Sequence, residues 1–173
     1  MSRLRNVLAI AAVLAASSAR AEIGTATIEA FGGYQNVDPK NFSAIGSSQG
    51  TGIVGGDILA GVGGFGVGAV VDKVVSGNNQ PWAGAVMAGI LIPLTVVRVE
   101  LMGELGRRGL NDFGDMFRER GQTFVGFRPG VSFRFAPTPI VLGVSGIARW
   151  PTSGGDFGSP DYGIVGRVGF GIF

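Results

Sequence analysis

The chain has 173 residues, of which 46% are hydrophobic and only 15% charged, with 32 Gly, no Cys and no His. The missing residue types exclude disulfides, thiolate or imidazole zinc sites, His-based nucleophilic systems and haem-type ligation. So much glycine with so little charge fits neither a disordered tail nor an ordinary soluble domain.

Residues 1–21 read as a cleaved secretory signal. Arg3 and Arg5 form a positive n-region, Val7 to Ala16 is an unbroken apolar run, and Ala19-Arg20-Ala21 is an A-x-A cleavage site. The run is ten residues long, too short to span roughly 30 Å of hydrocarbon as a helix. Removing the segment takes away Arg3, Arg5 and Arg20 and no acid, leaving 11 basic against 12 acidic residues, net −1. The basic character therefore belongs to the export segment, and nucleic-acid binding loses its support. Residues 22–173 are expected to form one domain.

The mature chain is dominated by a period of two, the signature of strands with one apolar face. Ala26, Ile28, Ala30 and Gly32 alternate with Thr25, Thr27 and Glu29. Val54, Ile58, Ala60 and Val62 alternate with Ile53, Asp57 and Gly61. Phe65, Val67, Ala69 and Val71 oppose Gly66, Gly68 and Asp72; Gly84, Val86, Ala88 and Ile90 oppose Ala83, Ala85 and Met87. The clearest stretch is Val97 to Leu105, where Arg98, Glu100, Met102 and Glu104 interleave with apolar or small residues. Val125 to Phe135 repeats it, with Arg128, Ser132 and Arg134 between apolar positions. Two further strands follow around Ile140 to Arg149 and Ile164 to Phe170, giving eight.

The connections alternate in length. Gly63-Gly64, Pro93-Leu94 and residues 136–139 are tight turns, whereas residues 35–50, 73–81, 107–121 and 151–161 are long and polar. Even strand number with alternating short turns and long loops predicts an all-β, transmembrane, eight-stranded antiparallel up-and-down barrel. A soluble eight-stranded barrel shares that rhythm but turns its apolar face inward. If instead Glu29, Arg149 and Arg167 face the lumen, parity sends Tyr34, Trp150 and Tyr162 outward at the loop ends, with Trp82 on the same rim. These are the only Trp and Tyr residues in the chain, and one rim is where amphipathic rings meet a headgroup interface. A helical membrane protein, tempting over Ile53 to Val71 and Trp82 to Val97, is disfavoured by the glycine of the first run and by the charged strands.

With signal, strand rhythm, aromatic rims and the final strand Tyr162-Gly-Ile-Val-Gly-Arg-Val-Gly-Phe-Gly-Ile-Phe173 in place, the chain resembles the small eight-stranded outer-membrane barrels of Gram-negative bacteria, the OmpA-barrel and OmpX-like group. The resemblance implies residence in the outer membrane after export through the periplasm, contact with lipopolysaccharide, insertion by the barrel assembly machinery, and a monomer without cofactor. It leaves no segment for the peptidoglycan-binding domain that some relatives carry. Parity turns Phe170 and Ile172 outward and Phe173 inward, against that group's habit of a lipid-facing terminal aromatic.

The expected lumen set is Glu29, Asp57, Glu100 and Glu104 with Arg98, Arg128, Arg134, Arg149 and Arg167. An eight-stranded interior is just wide enough for side chains to fill. These charges therefore form either an interlocked plug or a narrow pore whose pairs exchange partners to pass small ions. The same residues carry both readings. Glu100 and Glu104 share a face as an acid/base pair would, but the surrounding arginines oppose the raised pKa that such chemistry needs. An enzyme is not expected.

Recognition of a surface ligand would fall to the loops. Arg107 and Arg108 are expected where the strand leaves the membrane, facing lipopolysaccharide phosphates. Leu110, Phe113, Met116 and Phe117 have helical spacing, so a short turn is expected to cover the barrel mouth or offer an apolar patch to a partner. Gly61 to Gly68 lacks the Lys-Ser/Thr of a phosphate loop and reads as relief of crowding in a tightly curved wall.

Overall fold

The computed structural model describes residues 24–37, 49–75, 80–109, 113–117, 121–135, 137–153 and 156–172. The expected signal, residues 1–21, and the terminal Phe173 lie outside them. The strands are β1 (Thr25–Val37), β2 (Gln49–Val62), β3 (Phe65–Val74), β4 (Trp82–Leu94), β5 (Val97–Gly109), β6 (Gln122–Arg134), β7 (Ile140–Ser153), β8 (Asp156–Phe157) and β9 (Asp161–Ile172). Each long strand pairs antiparallel with its neighbours, and β9 pairs with both β7 and β1, which closes the ring. The two-residue β8 pairs only with the tip of β7. The result is a closed eight-stranded barrel, which abolishes free sheet edges.

Alternation decides which side each residue takes. Along β9, Asp161, Val165, Arg167, Gly169 and Gly171 are buried while the residues between them are half-buried or exposed. On the outside stand Ile28, Ile58, Val67, Val86, Leu105, Val168 and Phe170, all exposed. The largest fully buried side chains include Arg98 and Arg149. This is the inverse of a water-soluble barrel.

One short turn falls where the sequence puts it and the next lies two residues further on. Gly63 and Gly64 make the first short turn with φ of 59° and 85°, the doubly left-handed pair that a two-residue hairpin prefers. The second turn is Thr95-Val96 rather than Pro93-Leu94, because Pro93 and Leu94 continue β4 by pairing with Arg98 and Val97. The strands also run further into the expected loops, since main-chain pairing needs no apolar side chains: Arg107 and Arg108 still pair across β5 and β6. Between β6 and β7 the ladder lapses at Arg128-Pro129 opposite Gly146-Ile147 and resumes in unchanged register. Pro129 has no N–H to give.

Candidate functional site

The lumen holds two linked charge clusters and one pair, stacked from the turn end to the loop end. Nearest the turns, Glu29 of β1, Arg98 and Glu100 of β5 and Arg167 of β9 form a closed ring of alternating charge. Arg98 lies 2.7 Å from Glu100 and 3.6 Å from Glu29, and Arg167 lies 2.7 Å from Glu100 and 3.2 Å from Glu29. Ser132 of β6 donates a further hydrogen bond of 2.8 Å to Glu100. Above it runs the chain Asp57–Arg128–Glu104–Arg149–Asp72, with Arg128 at 3.0 Å from both Asp57 and Glu104. Arg149 continues it, at 2.7 Å from Glu104 and 2.6 Å from Asp72. Nearest the loops, Arg108 meets Asp161 at 2.6 Å.

Three of these contacts cross the barrel. In an eight-membered ring, strands four places apart face one another across the axis. Arg98 to Glu29 joins β5 to β1, Arg128 to Asp57 joins β6 to β2, and Arg149 to Asp72 joins β7 to β3. Each arginine comes from the second half of the chain and each acid from the first. The fourth opposite pair, β4 and β9, has no such contact among the described residues, because β4 sends Ala83, Ala85, Met87 and Leu91 inward. With Ile53, Leu59, Val70, Met102 and Val165 these form an apolar flank to the ionic half. Phe124 lies between tiers, its ring 5.9 Å from the Arg108 guanidinium and 4.8 Å from that of Arg149. Phe31 stacks on Arg128 at 4.6 Å. Planar guanidinium groups suit both tasks, binding carboxylates and covering rings.

Glycine makes room for this filling. A methyl group at Gly106 would stand 2.5 Å from the Phe124 ring, and one at Gly126 would stand 2.9 Å from Glu104 and 3.1 Å from Arg149.

Of the expected lumen residues, Glu29, Asp57, Arg98, Glu100, Glu104, Arg128, Arg149 and Arg167 are all buried and joined by ion pairs. Arg134 takes the same face at the turn end, half-buried. Asp72 and Asp161, outside that expected set, are also inside and paired. Arg108 requires a correction: it is buried and ion-paired in the lumen, whereas Arg107 faces out. Neighbours on a strand point to opposite faces, and the continuation of β5 through both residues separates them. Counting along from Glu104 would have found Arg108, and counting back from Tyr162 would have found Asp161.

At the loop rim Tyr34, Trp82, Trp150 and Tyr162 occupy the outward register, and Asn36 donates a 3.0 Å hydrogen bond to the Tyr162 hydroxyl. At the opposite rim Phe65, Phe133, Phe135 and Phe170 are exposed. The expected helical turn is a short 3₁₀ segment, Phe113–Phe117, and it lies against the outer wall of β4 and β5. Met116 is 4% exposed, and its sulfur would be 3.6 Å from a methyl group at the outward Gly84. Phe113 meets Trp82 edge-to-face at 5.5 Å. Leu110 lies outside the described residues.

The barrel is similar to two solved structures. One is the N-terminal β-barrel domain of Pseudomonas aeruginosa OprF, with TM-score 0.62, 12% identity, and coverage of 86% of this chain and 97% of that one. The fold is that of the small outer-membrane barrels. The other is Neisserial surface protein A, NspA, with TM-score 0.59, 9% identity, and coverage of 87% of this chain and 97% of that one. No family model and no curated protein matches the sequence. At such low identity, what this barrel shares with the two is its architecture.

Proposed function

We propose that this chain is a non-enzymatic integral protein of the bacterial outer membrane, a plugged barrel whose surface recognition is carried at its long-loop end. The observation behind this reading is the sidedness of the wall. Exposed aliphatic and phenylalanine side chains lie between two aromatic rims, while among the described residues every buried carboxylate (Glu29, Asp57, Asp72, Glu100, Glu104 and Asp161) has an arginine partner. An outward apolar band flanked by aromatic girdles is what a bilayer requires of a barrel. Export by the signal, insertion by the barrel assembly machinery and a monomeric state belong to the same reading.

Enzymatic acid/base work gains no support from the lumen, because Glu100 and Glu104 are each held by two arginines. The plug is favoured over the pore by the filling of the interior with Phe124, Met102, Ile53 and Val165, all essentially inaccessible to water. Heat-modifiable mobility of the detergent-solubilised mature protein tests the barrel: a folded form that migrates differently until boiled is expected. To test recognition, residues 110–120 are replaced by a short Gly-Ser turn. Retained heat-modifiability with loss of adhesion to surfaces is expected, and unchanged adhesion removes the loop from the account.

A further inference from the structure

Seven of the eight ladders that close the ring run without a gap. The eighth, β6–β7, pairs Phe127 with Ala148 and Gly130 with Ser145 but misses the two steps between, Arg128–Ile147 and Pro129–Gly146. The register is the same on both sides, so no residue is bulged out. What is missing is a donor. Opposite residues of an antiparallel ladder alternate between exchanging both main-chain bonds and exchanging none. Only if Pro129 and Gly146 are an exchanging pair does the absent N–H of proline cancel both missing steps and spare the Gly130–Ser145 step. The Gly146 carbonyl is therefore the acceptor left over.

The lapse falls within the apolar band. Pro129 and Gly146 take the outward register, and around them stand Leu101, Phe127, Val144 and Ile164, all exposed. A carbonyl without a donor is costly where the surroundings are hydrocarbon, and proline is ordinarily confined to sheet edges and bulges. Side chains do little to offset the loss. Gly146 offers none to the Pro129 ring, although a methyl group there would stand 3.4 Å from Pro129 Cγ. On the inner face Ser145 looks across at Gly130, and its hydroxyl has no hydrogen-bond partner. The long inward side chains beside the lapse reach away from the seam, Arg128 to Asp57 of β2 and Glu104 of β5, and Arg149 to Asp72 of β3 and Glu104. Cross-strand side-chain pairs, which stabilise a sheet, are thus thin on both faces.

We propose that the β6–β7 seam at Pro129–Gly146 is a built-in opening point of the barrel wall, where the strands part before any other seam does. The inference rests on the outer-membrane reading above, because the cost of the orphaned carbonyl comes from a hydrocarbon surrounding. On parting, β7 moves with β9, to which its ladder is complete. The middle tier of the lumen, at Arg128 and Ser145, then comes to the edge of the wall. An otherwise filled barrel gains one place where lumen and bilayer communicate.

The test uses the mature barrel, shown first to be folded by heat-modifiable mobility and then placed in lipid nanodiscs. Amide hydrogen exchange, which reports local opening, is followed by NMR at Phe127, Val131 and Ala148 on the seam and at Glu100 and Met102 on the β5–β6 ladder at the same depth. The seam amides are expected to exchange about tenfold faster than the other two. Pro129→Val supplies the missing N–H and is expected to slow them about tenfold. Gly146→Ala adds a methyl group but no donor and is expected to leave them unchanged. Equal protection of the two ladders in the wild type overturns the opening point and leaves the barrel reading standing. The same holds for a Pro129→Val chain that exchanges as fast as wild type or fails to fold, and for Gly146→Ala slowing exchange as much as Pro129→Val. A wild-type protein that never shows a heat-modifiable form overturns both readings.

Discussion

Arg149 spans the lumen to bind Asp72 with both prongs of its guanidinium, at 3.1 and 2.6 Å, and its Nε donates at 2.7 Å to Glu104. The first two bonds tie β7 to the strand opposite, and the third ties it to β5. All three side chains are buried, so the contact acts as a strut across the barrel rather than as a surface ion pair.

Breaking that strut strands a buried charge. Arg149→Met is expected to destabilise the folded barrel by about 3–5 kcal/mol, the range for removing one partner of a buried pair. Adding Asp72→Asn and Glu104→Gln to the same variant is expected to recover part of the loss. Urea unfolding in detergent micelles, followed by tryptophan fluorescence, measures both; a single variant as stable as wild type contradicts the role given to Arg149.

A second expectation concerns space. Gly106→Val sets its new Cβ 2.4 Å from the Gly84 carbonyl oxygen and drives the side chain against the Phe124 ring and Ala85. Overpacking of this kind costs about 1–3 kcal/mol. Pairing it with Phe124→Leu is expected to relieve the ring contact alone and recover part of the loss, since the Gly84 carbonyl stays in place; a double variant less stable than the sum of the singles would count against contact with the ring.

The filled lumen predicts electrical silence. In planar bilayers the wild-type barrel is expected to give no steady channel steps. Truncation of Phe124, Met102 and Arg149 to Ala together is expected to produce them if the barrel still folds by the gel-mobility criterion. Regular conductance from the wild type would favour the pore.

Much of this was legible from the chain because a barrel has one repeating rule. A period of two, read against a few charges, assigns Glu29, Asp57, Arg98, Glu100, Glu104, Arg128, Arg149 and Arg167 to one side. It fails where polarity reads as the end of a strand. Arg108 and Asp161 stand in polar stretches that read as loops, yet ladder pairing carries both into the lumen. Partners across the axis were not legible at all, since a pair such as Arg128 and Asp57, 71 residues apart, depends on ring closure and stagger that no local pattern records. The direction taken by the Phe113–Phe117 turn was equally hidden: helical spacing announces an apolar side but not the surface that receives it.

The orientation of the wall is the claim beneath all of these. Since the chain contains no Cys, single cysteines bearing a nitroxide label can be placed at Ile58, Val86 and Val168 outside and at Ser132 and Ser145 inside, and the protein reconstituted in lipid vesicles. The outer three are expected to be relaxed by lipid-dissolved oxygen and not by a water-soluble nickel reagent, with the inner two shielded from oxygen. Oxygen reaching Ser132 and Ser145 while Ile58 and Val86 lie protected would mean that the barrel is turned the other way, and the account would be wrong.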